Sequence, residues 1–118
     1  MQRFMLKSKL HRATLTGADL DYEGSITIDR TLMEAADLVA GEQVHVLNVS
    51  NGSRIVTYVI EGEAGSGAVV LTGPAARSGV AGDRVTILAY AAVANDEAGT
   101  FRPKIVKVDR QNRLHRGR

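Results

Sequence analysis

EQVHVLNVSNGSRIVTYVIEG, residues 42–62, sets two runs rich in Val, Ile and Thr on either side of the tetrapeptide SNGS. Asn-Gly between two such runs is the strongest short-range hairpin signal, because both residues tolerate the positive φ that a tight reversal between twisted strands requires. A β-hairpin is therefore expected, with EQVHVLNV and RIVTYVIEG as its arms. Upstream, DRTLMEAADLVAG (29–41) reads as the one good helix: Asp29 can cap it, Leu32, Met33 and Ala36 give helical spacing, and Gly41 suits its stop. Further back, RFMLKSKLHRATLTG (3–17) alternates as a strand. Met5, Lys7, Lys9, His11 and Ala13 share one side; Leu6, Ser8, Leu10 and Arg12 share the other. GADLD breaks this strand, and Ile26-Thr27-Ile28 begins the next. Downstream, EAGSG turns the chain into AVVLTG, PAARSGVAGD follows, and RVTILAYAAV and FRPKIVKVD complete the strands. Six or seven short strands with one or two short helices predict a mainly β fold, a small barrel whose closure removes exposed edges.

The 118 residues fit a single domain, 1–118, which at this size buries roughly two-thirds of its unfolded surface. Aromatic residues are only 4% of the chain, so Val, Leu, Ile and Ala must build the core. Cysteine is absent, which excludes disulfides and thiolate metal sites. His11, His45 and His115 lack ligand-like spacing, so no metal is expected. No apolar run approaches the roughly 20 residues of a membrane span. The opening MQRFMLKSKLHR is interrupted by charge too often for a signal peptide. A cytoplasmic protein without a membrane partner is expected. The net charge is +2, with several cations in the tail DRQNRLHRGR. That tail reads either as a frayed, solvated terminus or as a contact for an acidic partner or nucleic acid.

Four stretches could carry chemistry. Gly24-Ser25 is either a turn entering a strand or a bond open to attack by the Ser25 hydroxyl on the preceding carbonyl, where Gly tolerates the strained backbone. Lys9 and His11, on one strand face, either present a cation and an imidazole to one pocket or blunt a strand edge. Arg54 is suited to clamp a carboxylate, Tyr58 to give a proton and Thr57 to hydrogen-bond an oxyanion. The same three residues also suit an ordinary strand. Thr57 and Tyr58 are adjacent and should face opposite sides unless a bulge or a barrel rim intervenes. LTGPAARSG (71–79) is a small-residue loop that lets a ligand approach the backbone; it lacks the Lys-Ser/Thr pair of a phosphate loop.

Together, Lys9, His11, Tyr22, Gly24, Ser25, Arg54, Thr57 and Tyr58 resemble, in identity and spacing, the pyruvoyl-dependent aspartate 1-decarboxylases. The likeness runs over roughly residues 3–109 and is most specific in MLKSKLHRATLTGADLDYEGSITID (5–29) and NGSRIVTY (51–58). It implies a double-psi β-barrel and a homotetramer with active sites between neighbouring subunits. It also implies self-cleavage between Gly24 and Ser25, giving a β chain, 1–24, and an α chain, 25–118, that begins with a pyruvoyl group made from Ser25. The implied reaction converts L-aspartate to β-alanine and CO2 for pantothenate and coenzyme A synthesis. The pyruvoyl carbonyl takes the substrate amine as a Schiff base, and the adjacent amide carbonyl accepts the electron pair. Neither PLP nor a metal is then needed.

The resemblance also assigns roles. Tyr58 matches the proton donor to the carbanion carbon. Arg54, with Lys9, would clamp a substrate carboxylate; the resemblance leaves open which one, and the retained one is expected because stabilising the departing one would deepen the ground state. Thr57 matches a substrate-binding position and would hold the Gly24 carbonyl during cleavage. The backbone of Gly73, Pro74 and Ala75 corresponds to the substrate-contacting loop, and His11, Tyr22 and Thr72 are expected to support processing. Some relatives add an accessory maturation protein as a partner. The chain departs from the family in TGPAAR (72–77), where Asn-Gly-Ala-Ala-Ala-His is usual. Thr72 replaces an amide by a shorter hydroxyl, Pro74 deletes a backbone N–H, Arg77 stands in place of His, and Asp21 stands where His is often found. Two alternatives follow: a processing-deficient relative, or a non-catalytic barrel that binds nucleic acid, a partner the family does not have.

Overall fold

A computed structural model describes residues 1–20 and 24–115 of the chain. The alternating N-terminal stretch forms β1 (Gln2–Thr14), followed by a three-residue β2 (Gly17–Asp19) and by β3 (Ser25–Asp29). Helix α1 (Arg30–Ala35) leads into the hairpin of β4 (Gln43–Asn48) and β5 (Arg54–Gly62). Next come β6 (Val69–Thr72), a 3₁₀ helix (Gly73–Ser78), β7 (Arg84–Ala94), a single-turn α2 (Asn95–Ala98) and β8 (Lys104–Lys107). The expected hairpin is present, with β4 antiparallel to β5 from Gln43↔Tyr58 to Leu47↔Arg54 and Gly52 at φ 81° in its loop.

The eight strands form one sheet in the order β2-β6-β3-β5-β4-β7-β1-β8. Three pairings are parallel (β2 with β6, β3 with β5, β1 with β8) and the rest are antiparallel. Period two then places Ile26 and Ile28, Val44 and Val46, Val69 and Leu71, and Val85 and Ile87 in one core, which Leu10, Leu15 and Leu32 complete. Each such side chain contributes roughly 1.5–3 kcal/mol on full burial. One core enclosed by a continuous, mostly antiparallel sheet is consistent with the mainly β, small-barrel expectation. Among the described residues no helix is long and apolar enough to cross a membrane.

Three local features differ from the sequence reading. Among the described residues there are eight strands rather than six or seven, because GADLD holds β2, which is too short to show a period and is held by parallel pairing with Val70–Thr72. Strand β1 does not alternate without interruption. Its register against β7 shifts between Leu6 and Ser8 and again between Leu10 and Ala13, so Ala13 is buried with Leu10 instead of sharing the Lys9 side. At the second shift Arg12 adopts φ 57°, its N–H donates to Thr86 Oγ1, and its carbonyl accepts Arg84 Nε and Nη2 at 3.2 and 2.8 Å.

Helix α1 also ends six residues before Gly41. Asp29 caps its start as expected, accepting from the Thr31 N–H, but Asp37 takes the left-handed conformation at φ 57°. The N–H groups of Asp37 and Leu38 then return to the carbonyls of Glu34 and Met33, closing a Schellman motif one turn early.

Candidate active site

Strand β3 opens at Ser25, which pairs with Thr72 of β6 and is completely buried. Ser25 Oγ lies 2.6 Å from Thr72 Oγ1, and Thr72 Oγ1 donates to the Ser25 carbonyl at 3.3 Å. A threonine hydroxyl has one proton. Either hydroxyl can donate across the 2.6 Å contact, so Thr72 Oγ1 is placed to exchange a proton with Ser25 Oγ or to hold the Ser25 carbonyl. On the other side of the peptide bond, Thr57 Oγ1 donates to the Gly24 carbonyl at 3.2 Å and so withdraws electron density from its carbon. The nucleophile and the carbonyl it would attack are each held by a different threonine.

Gly24 sits close to the loop that follows β6: a Cβ there would lie 3.2 Å from Pro74 Cδ, so a larger residue would require the Pro74 ring to shift by a few tenths of an ångström. The 3₁₀ helix that carries Gly73, Pro74 and Ala75 thus packs directly on the candidate scissile residue. Gly73 enters it at φ 63°, and Pro74 suits the first turn because its missing N–H would have no helical partner. Gly24, Ile55, Val56, Thr57, Pro74, Ala75 and Ser78 enclose a concavity of about 340 Å³. Thr72 therefore reaches Ser25 despite lacking the usual amide, and the ring of Pro74 shapes the wall where its N–H is missing.

The candidate cations gather in a second place. Lys9 and His11 line a concavity of about 330 Å³ with Leu6, Leu47, Val49, Thr86, Leu88 and Tyr90. Burial first, then the positive charges of Lys9, Arg12, Lys107 and Arg84, hold the His11 imidazole below its ordinary value. Arg54 is linked to this group through Tyr90: its Nη2 reaches His45 Nδ1 at 3.1 Å and Tyr90 Oη at 3.5 Å. A guanidinium only donates, so His45 Nδ1 is the acceptor and its proton sits on Nε2. The His45 ring meets Tyr90 edge-on at 5.1 Å. His45 and Tyr90, which orient Arg54, were not singled out from the sequence. Alternation within their strands was the only available signal, and it cannot show that β4 and β7 are neighbours.

The ladder between β4 and β5 has no register shift across Arg54 to Tyr58. Thr57 therefore faces away from Tyr58, and Tyr58 shares a strand face with Arg54. One chain brings together Gly24, Ser25, Thr57, Thr72, Pro74 and Ala75 in one group and Lys9 and His11 in another, with Arg54 linked to the second through Tyr90. Tyr22 and Asp21 lie outside the described residues, as do 116–118 of the basic tail.

Comparison with known proteins gives consistent matches along nearly the whole chain. The profile of the family described as aspartate decarboxylase matches residues 1–115. The aspartate 1-decarboxylase of Dehalococcoides mccartyi (strain ATCC BAA-2266 / KCTC 15142 / 195) is 58% identical over 110 residues, covering 93% of this chain and 89% of that protein. The protein of the same name from Thermoanaerobacter pseudethanolicus is 52% identical over 113 residues, covering 96% and 97%. That from Myxococcus xanthus is 50% identical over 114 residues, covering 97% and 88%.

Proposed function

The chain belongs to the aspartate decarboxylase family, and on that premise we propose that it decarboxylates L-aspartate to β-alanine after cutting itself between Gly24 and Ser25. The observation that carries the cleavage is the paired threonines: the Thr72 hydroxyl lies 2.6 Å from Ser25 Oγ while Thr57 polarises the Gly24 carbonyl. Ser25 Oγ attacks that carbonyl carbon, the Gly24–Ser25 C–N bond breaks, and an ester with a free amine results. Loss of the Ser25 α-proton with rupture of its Cβ–Oγ bond releases the Gly24 carboxylate. Water then replaces the remaining nitrogen, which leaves as ammonia. The Thr57 hydrogen bond points at the oxygen that gains charge in the first step, where such a donor has most effect.

The pyruvoyl group so made would lie between Thr57, Thr72 and the Pro74 wall, and it supplies the electron sink that amino-acid decarboxylation requires. The buried end of β3 and the adjacent concavity fit such a group. Arg54 and Lys9 bind the retained carboxylate of aspartate, with His45 and Tyr90 fixing the guanidinium. Tyr58 returns a proton to the carbon that has lost CO2. Leu6, Leu47, Val49 and Leu88 exclude water beside the cations and so strengthen the clamp.

A complete site between neighbouring subunits of a homotetramer is part of this proposal, and the separate concavities of the cleavage group and of Lys9 and His11 support it. The β-alanine feeds pantothenate and coenzyme A synthesis. Thr72 and Pro74, both in contact with the scissile pair, argue for a competent precursor over a processing-deficient one. Intact-mass measurement tests this. The wild-type chain should resolve into 1–24 and a pyruvoyl-headed 25–118, and Ser25→Ala should remain one chain without decarboxylase activity. A wild-type chain still whole after prolonged incubation, or an active Ser25→Ala variant, would overturn it.

A further inference from the structure

The carbonyl of Ser78, at the end of the 3₁₀ helix that packs on Gly24, accepts three side-chain hydrogen bonds. They come from Asn48 Nδ2 at 3.0 Å, Asn51 Nδ2 at 3.1 Å and Ser53 Oγ at 3.2 Å. The donors span the β4–β5 turn: Asn48 ends β4, and Asn51 and Ser53 lie in the loop. Carbonyls at a helix C-terminus lack partners within the helix, and the extended backbone of Gly79 (φ −177°) does not turn back to supply one.

The hairpin is itself locked. Asn48 is 3% exposed; its Oδ1 accepts from Ser50 and Asn51 N–H, and its Nδ2 also reaches Asp83 Oδ2 at 2.9 Å. Gly79 permits this approach, because a Cβ there would fall 2.8 Å from Asn48 Nδ2 and 2.6 Å from Leu15 Cδ1.

We infer that Asn48, Asn51 and Ser53 are positioning residues for self-cleavage, holding the hairpin and the 3₁₀ helix as one body. The consequence follows from what each partner carries. The hairpin loop runs directly into β5, where Thr57 binds the Gly24 carbonyl, and the 3₁₀ helix begins with Gly73 and Pro74, the latter against Gly24. The Ser78 carbonyl thus fixes the carbonyl-polarising hydroxyl relative to the wall on which the scissile residue rests. Misplacement of reacting groups by about 1 Å can cost on the order of a hundredfold in rate.

The inference rests on Ser25 being the cleaving nucleophile, so its test separates the two. Asn51→Asp keeps the Oδ1 acceptor that binds the Ser53 N–H but removes the Nδ2 donor, and Ser53→Ala removes the hydroxyl. Both lie in an exposed or half-buried loop, away from the core. The double variant should fold with an unchanged circular dichroism spectrum and cleave about tenfold more slowly by time-resolved intact mass. Ser53→Thr, which keeps the hydroxyl, should cleave at the wild-type rate.

In the uncleaved Ser25→Ala background, the double change should raise amide hydrogen exchange across 73–79. Unchanged exchange there overturns the latch, whatever happens to cleavage. Raised exchange with unchanged cleavage overturns its role in positioning. A wild-type chain that never cleaves overturns the function of Ser25 and the positioning role with it, while the exchange measurement still decides the latch.

Discussion

In the proposed self-cleavage two threonine hydroxyls divide the work, Thr72 at Ser25 Oγ and Thr57 at the Gly24 carbonyl, and the division is testable. Thr57 has one proton and places it on the Gly24 carbonyl. Thr57→Val keeps the shape and removes the donor, so cleavage should slow by about 10²–10³-fold, the range for losing one oxyanion donor. Time-resolved intact mass checks this, and a Thr57→Ser variant should recover most of the rate. Tyr58 faces away from Thr57 along an unshifted ladder, and the proposed mechanism gives its hydroxyl the later, protonating step. Tyr58→Phe should therefore cleave normally and lose turnover by about 10²–10⁴-fold, measured as CO2 release from matured enzyme. Slow cleavage in Tyr58→Phe would contradict the separation of roles that the strand alternation gives.

The elements beside the site are tied by a second buried group, Asp29. At the junction of β3 and α1 it accepts the N–H groups of Thr31 and Gly65 on one oxygen, at 2.8 and 3.0 Å, and Gly67 on the other, at 2.8 Å. Burial alone would raise its pKa, but these hydrogen bonds from Gly67, Gly65 and Thr31 outweigh it and hold the carboxyl below its ordinary 3.8. A lowered folded-state value means the stabilisation is present above pH 3.8 and is lost as pH falls through the folded value. Asp29→Asn would point an amide N–H at one of these donors. It should cost about 1–3 kcal/mol in urea unfolding at neutral pH and remove part of the stability lost on acidification below the ordinary carboxylate range. Asp29 was legible as a cap because capping is local. The hairpin was legible for the same reason, Asn-Gly being a local conformational signal. The early end of α1 was not, because Asp37 takes the left-handed position usually given to Gly. The two register shifts of β1 were also hidden, since period-two reading assumes an uninterrupted ladder and the Arg12 kink is held by Arg84 and Thr86, more than seventy residues away. Of the candidate site, the residue identities were legible; which of them meet in one chain depended on strand order.

At the scale of the whole molecule, the division of the site into two groups calls for a neighbour. Gly24 and Thr57 line one concavity, with Ser25 buried behind it, while Arg54 is held at His45 and Tyr90, and Tyr90 lines the concavity of Lys9 and His11. The second region also carries exposed apolar surface: Phe4 is 84% exposed and, with Gln43, His45, Tyr90 and Ala92, lines a further concavity of about 430 Å³. Apolar surface in that position is what subunit contact would cover. If each complete site takes Ser25 from one subunit and Arg54 from the next, two inactive variants should complement each other. Ser25→Ala and Arg54→Ala chains, each inactive alone, would form hybrid sites when co-expressed. A site built from Ser25 of the Arg54→Ala chain and Arg54 of the Ser25→Ala chain has both groups intact. Random assembly of equal amounts should then restore roughly a quarter of wild-type turnover. Turnover is read in the purified mixed oligomer, after mass spectrometry has confirmed that the Arg54→Ala chains are cleaved. No recovery in an oligomer shown to contain both chains would mean that Ser25 and Arg54 act within one subunit, and the separation of their concavities would then have to close by movement within the chain.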